Sequence, residues 1–202
     1  MKTRDFSVGV AILGLSFCLV MSFNIAIPFI VHEIFHLSPV VTGYCALFSG
    51  MALFSGGIIG RWMGIRNLLK KAMIFSFIQA AIILLMLLFL DSLNTIFLLM
   101  IFVVVIHLIE GVLYNFFFTH CLIRFPKNAA TAGGITSGGS YIVLSLALSG
   151  LLTFLPNPGQ QTLAYGYLIL CVSIIILLMI FRKSILKGNE LELSEKMPEK
   201  IK

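Results

Sequence analysis

The sequence predicts an all-α membrane protein of six transmembrane helices, organised as two three-helix repeats. Three observations carry this prediction. The chain holds six long apolar runs almost free of charge. Its Lys and Arg fall at the N-terminus, in every second connection and at the C-terminus. The chemistry of the runs repeats with period three. Composition excludes the soluble alternative: 59% of residues are hydrophobic and 11% charged, whereas a soluble domain carries roughly a quarter charged. Mean hydropathy is +1.07, so lipid is the solvent this chain suits.

A helix needs about 20 apolar residues to cross a bilayer. Six segments qualify, at 8–31, 38–60, 72–90, 95–118, 130–154 and 163–181. The first follows Lys2 and Arg4 and has the opening of a signal peptide. It is longer than a signal h-region and lacks a small-residue cleavage pattern, so it reads as a retained span. The six-helix domain is expected over 1–183, and a polar cytoplasmic tail without packing pattern over 184–202.

Charge sets the orientation. Lys2 and Arg4 lie at the start, Arg61, Arg66, Lys70 and Lys71 in the second connection, and Arg124 and Lys127 in the fourth. Six more follow, from Arg182 to Lys202. The connections around Glu33, Asp91 and 156–161 have none. The positive-inside rule then places both termini in the cytoplasm of a bacterial inner membrane. The isoelectric point of about 9.3 is explained by these loops, and no nucleic-acid partner is expected. Cys18, Cys45, Cys121 and Cys171 lie in or beside spans without metal-ligand spacing and read as small apolar packing residues. No metal site and no cofactor are expected.

Each kind of span has its own chemistry. Spans three and six are aliphatic, AAIILLMLLFL at 80–90 and YLILCVSIIILLMIF at 167–181, and suit a lipid-facing position. Spans two and five are rich in small residues. Span two has Ala46 with Gly50, then Ala52, Gly56 and Gly60; span five has Ala129, Gly133 and Ser137 beside Ala130, Gly134 and Gly138. Small residues four apart let helix backbones approach closely. Gly50, Gly56, Gly60, Gly134 and Gly138 are therefore candidates for a packing seam against another unit. Packing inside the same unit is the alternative.

Spans one and four carry the polar groups. Span one has Asn24 and the helix-bending Pro28. Span four has His107, Glu110, Tyr114 and Asn115, within roughly 140° of arc on an ideal helix. Glu110 is the one acidic residue deep inside a span. A charge there costs at least a few kcal/mol, so Glu110 should face a cavity, a partner or water. These five residues are the candidate substrate or proton pathway. The plainer alternative is a structural Glu110 that hydrogen-bonds a neighbouring helix.

Three segments resemble a known family: PFIVHEIFHLSPVVTGY at 28–44, GGIIGRWMGIRNLLKKA at 56–72 and YNFFFTHCLIRFPKNAATAGG at 114–134. They are similar to the C-terminal half of a major facilitator superfamily transporter, most of all its Bcr/CflA drug-efflux group. The chain departs from that pattern at His36, at Gly60 in place of a loop Asp, and at Ala130 and Gly133. The resemblance implies two six-helix halves around a cavity, with spans one and four lining it, two and five at the seam, and three and six against lipid. It also implies proton-driven efflux of hydrophobic small molecules. Only six spans stand here against about twelve in the family. A second half on another polypeptide, a homodimer or an inactive remnant are the three ways to reconcile this.

The competing functions are weaker. Ser49 and His107 stand on different spans, but no G-x-S-G setting surrounds Ser49, so an intramembrane hydrolase is not supported and no catalytic residue is assigned. A non-transporting six-helix scaffold remains the alternative to a transporter. The topology is directly testable: a reporter active only outside the cytoplasm, fused after Lys187, is expected to stay silent. Strong activity at that position would break the six-span count.

Overall fold

The computed structural model describes residues 2–89, 95–155 and 159–196, with side chains described from Asp5 to Lys183. Helices dominate these residues, and no strand occurs among them. They are α1 (Lys2–Phe29), α2 (Pro39–Met63), α3 (Leu68–Leu88), α4 (Ile96–Ile123), α5 (Ala129–Phe154) and α6 (Gln160–Lys196). All six contain a stretch long and apolar enough to cross a membrane. The expected spans thus fall on six helices, each longer than the hydropathy of its run required. Helix α6 continues as far as Lys196, into the polar segment that begins at 184. The connection around Asp91, residues 156–158 of the last connection and residues 197–202 lie outside the described residues.

Local chemistry accounts for the breaks. Pro28 has no N–H to give the preceding turn, and α1 widens just beyond it into a π-helical turn at Ile30–Ile34. His36 then takes a left-handed conformation, φ 53°, and ends the helix. Ser38 restarts it: its hydroxyl accepts from the Val40 N–H at 3.4 Å, with Pro39 at the first helical position. Helix α2 stops at Gly64, whose φ of 60° suits a residue without a Cβ. Lys71 reaches back to the freed carbonyls of Met63 and Gly64, at 2.6 and 3.2 Å. A cation there complements the negative end of the helix dipole. Between α4 and α5, Pro126–Asn128 form a 3₁₀ turn.

Helices α1 and α4 occupy the centre. Helix α2 packs chiefly on α4 and α5 chiefly on α1; α3 spans α4 and α6, and α6 spans α1 and α3. Exchanging the first three helices for the last three leaves this list of neighbours unchanged. An ion pair ties the two central helices at their basic ends, with Arg124 Nε 3.1 Å from Asp5 Oδ2. Phe6 and Phe125 meet edge to face beside it.

The tightest contact is between α2 and α4. Helix α2 turns Cys45, Ser49, Ala52, Gly56 and Gly60 inward. A Cβ on Gly56 would collide with the Leu108 carbonyl, and one on Gly111 with the Leu53 carbonyl. A Cβ on Gly60 would press on Asn115 and Val112. The expected seam therefore divides. Gly56 and Gly60 pack inside the unit, because α4 approaches almost to backbone contact there. Gly50, Gly134 and Gly138 have nothing within 4 Å of where a Cβ would stand, and they remain on the outer surface. Helix α5 instead buries Ala132, Thr136, Ser140 and Leu144.

Helices α3 and α6 carry a second correction. Their outer faces are apolar and exposed. Their inner faces are not uniformly aliphatic: α3 buries Ser76 and Gln79, and α6 buries Tyr167. The average hydropathy of a span conceals one or two polar residues on one side.

These contacts predict an asymmetry between glycines. Gly56→Ala is expected to lower stability by about 1–3 kcal/mol through overpacking, measured by unfolding in detergent or bicelles. Gly50→Ala, on the outer face of the same helix, is expected to leave stability unchanged. Equal effects would contradict the α2–α4 backbone contact.

Candidate functional site

A carboxyl in an apolar bundle must draw its partners from neighbouring helices. Glu110 lies in the middle of α4 and is 1% exposed. Gln79 on α3 donates from Nε2 to Glu110 Oε1 at 2.5 Å. Ser16 on α1 stands beside the same carboxyl. Glu110 Oε2, Gln79 Oε1 and the Ser16 hydroxyl have no hydrogen-bond partner among the described protein groups.

One turn earlier on α4, His107 is fully buried and held from both sides. Its Nδ1 is 2.7 Å from the Ser49 hydroxyl on α2, and its Nε2 is 3.0 Å from the Tyr167 hydroxyl on α6. Each hydroxyl can donate or accept, so both ring nitrogens are satisfied whichever carries the hydrogen. Phe23 on α1 meets the imidazole edge to face, with ring centroids 5.3 Å apart. Ser76 and Cys171 close the α3–α6 side, the thiol approaching the Ser76 carbonyl at 3.7 Å. Five helices thus each bring a polar side chain to the centre of the unit.

The five expected site residues do not form one cluster. His107 and Glu110 belong to the buried network. Tyr114 lies two turns from His107 and is half-buried in an aromatic group with Phe17, Phe118 and Tyr141. Asn115 stands at the α2–α4 contact, against Gly60. Asn24 donates to the Val20 carbonyl of its own helix at 3.0 Å. An i to i−4 bond of this kind satisfies a side-chain donor with no second helix.

Gln79, Ser16 and Tyr167 were not anticipated. Gln79 is the one carboxamide inside a run of Ile, Leu, Phe and Ala, and that rarity was the available signal. Ser49 enters the network through its hydroxyl. At 1% exposure and beneath the α2–α4 contact, it serves as the hydroxyl that orients His107. A separate apolar cavity of about 240 Å³ lies among α1, α5 and α6, lined by residues such as Ile25, Phe29, Leu151, Leu155 and Gly166. None of the expected site residues lines it.

Removing one hydroxyl from the network should register as a stability loss. Tyr167→Phe leaves His107 Nε2 without its partner and is expected to cost about 1 kcal/mol in unfolding measurements. Tyr165→Phe, at a half-exposed position on the same helix, is expected to cost nothing measurable.

Comparison with known proteins adds no relative: no family model matches the chain, and neither a curated protein nor a solved structure is significantly similar to it.

Proposed function

We propose that this chain is a six-helix unit of a proton-coupled secondary transporter for hydrophobic small molecules, of the major facilitator type, working with a second six-helix unit. The observation that carries the reading is Glu110: a single carboxyl, 1% exposed, set among polar side chains from four other helices. A carboxyl costs a great deal in such a place, and a packing role would be filled more cheaply by Leu or Met. Proton binding and release is the chemistry that repays it. The interchange of neighbours between the two helix triplets supports a repeat of the kind secondary transporters use. The resemblance at 28–44, 56–72 and 114–134 supports the same assignment. In this reading both termini face the cytoplasm and the membrane is a bacterial inner membrane.

A non-transporting six-helix scaffold is the second reading. The Gln79–Glu110 bond favours it, since that bond satisfies one carboxyl oxygen within the unit.

Reconstitution separates the two. Vesicles carrying a pH gradient and a hydrophobic dye are loaded with the chain, alone and with a co-expressed N-terminal half. Proton-linked dye movement is expected, and Glu110→Gln is expected to abolish it while the protein still inserts and folds. Glu190→Gln serves as the control and is expected to transport normally. Equal movement in both variants would return Glu110 to a structural role. Cross-linking from Gly134→Cys reports association with the second unit, and Gly134→Leu is expected to weaken it.

A further inference from the structure

The two side chains that meet at the α3–α4 contact, Gln79 and Glu110, each keep one buried oxygen without a hydrogen bond, with Ser16 beside the carboxyl. Gln79 Nε2 already donates to Glu110 Oε1. The other oxygen of each group, Gln79 Oε1 and Glu110 Oε2, is buried and without a partner. An acid and a primary amide have complementary edges. When the acid carries its proton, the amide N–H donates to the acid carbonyl while the acid O–H donates to the amide carbonyl. The one bond already present is half of that ring.

We propose that protonated Glu110 and Gln79 form a two-bond acid–amide pair, which makes Gln79 the positioning residue for the proton and the α3–α4 contact sensitive to protonation. This rests on the reading of Glu110 as a proton carrier. The proton sits on Glu110 Oε2 and is directed at Gln79 Oε1. On its release the O–H···O bond is lost. Two acceptor oxygens, one of them charged, then confront each other, and only the N–H···O bond remains. With one bond in place of two, and two acceptor oxygens side by side, the α3–α4 contact is weaker when the proton leaves.

The surroundings leave the pair as the element that responds. Helix α6 faces Glu110 with Tyr167 and Cys171, and α4 adds His107, bonded on both nitrogens. Helix α1 offers Ser16, and α2 offers Ser49, already held by His107. The buried polar groups of α5, Thr136 and Ser140, are hydroxyls. No Lys or Arg is buried among the described residues. Ser16 is the rival acceptor for the acid proton, and the experiment must distinguish it.

The chain has three glutamines, Gln79, Gln160 and Gln161, so side-chain isotope labelling of glutamine is close to site-specific. Infrared difference spectra between low and high pH are recorded on the full chain in lipid. The expected result is a carboxylic acid carbonyl band at low pH, with the labelled amide carbonyl band shifting to lower frequency in step with it. The amide shift and the Glu110 component of the acid band are expected to vanish in Glu110→Gln, while the bands of the other seven Asp and Glu side chains remain. The acid band is expected to move to higher frequency in Gln79→Leu and to stay in place in Ser16→Ala. Should Gln79→Leu fail to fold, the labelled wild-type spectrum decides alone. An amide band indifferent to pH overturns the pair, as does an acid band that moves in Ser16→Ala and not in Gln79→Leu. The transport assay of Glu110→Gln is independent of this. Coupled spectral changes with Glu110-independent transport would remove the transporter reading and leave the pair. Glu110-dependent transport with a silent amide would do the reverse.

Discussion

The structure depends on accommodating one carboxyl in the middle of an apolar bundle. Lipid offers Glu110 no hydrogen bonds, and the apolar side chains that fill the core offer none either. Its partners must come from the helices around it, and each must present its polar residue at the same depth. Gln79 on α3, Ser16 on α1, Ser49 on α2 and Tyr167 on α6 do so, directly or through His107. Apolar helix faces slide past one another at little cost. A slip of one turn here would strand several buried polar groups, each worth about 1–3 kcal/mol. The network therefore fixes the axial register of the helices, a specification that Leu and Ile packing could not supply.

The glycines make that network geometrically feasible. Ser has a short side chain, so its hydroxyl reaches His107 at 2.7 Å only if α2 lies close to α4. Gly56 and Gly111 bring the two backbones together, each glycine facing a carbonyl of the other helix. In lipid, where apolar burial does not drive helices together, this close fit is the source of α2–α4 cohesion. A bulkier residue at Gly56 would push α2 outward and lengthen the Ser49–His107 bond several residues away. The packing and the polar centre are thus one construction.

Much of this was legible in the sequence, at the level where a residue's rarity is the signal. Six apolar runs gave six helices, and a lone Glu with a His one turn away gave the centre of the polar network. The rest required knowing which way each helix faces. Spans this uniformly apolar have no hydrophobic face to betray their rotation, so hydropathy alone does not show that Gln79 and Tyr167 point inward. The glycine stripes had the same ambiguity. An i,i+4 row of small residues looks alike whether it meets a helix of its own unit, as Gly56 and Gly60 do, or stands open, as Gly134 and Gly138 do. Asn24 stood out because polar residues in lipid are costly, yet its own helix backbone satisfies it. Only Glu110 and His107, too long and too polar for such local bonding, were bound to reveal other helices.

That division narrows where a second unit would sit. Helix α2 meets α4 through Ala52, Gly56 and Gly60, and its outer face presents Tyr44, Phe48, Met51 and Phe54 around Gly50. Large flexible side chains of this kind pack well against lipid and poorly against a rigid backbone. Helix α5 likewise mixes exposed large side chains, Ile135, Tyr141 and Ile142, with small ones. It meets its own unit through Ala132, Thr136 and Ser140, and its outer side keeps Ala130, Gly134 and Gly138 in one exposed i,i+4 row. A neighbouring helix could approach that row as closely as α4 approaches Gly56. In the transporter reading this row, near the basic loop at Arg124 and Lys127, is one surface able to receive a second half.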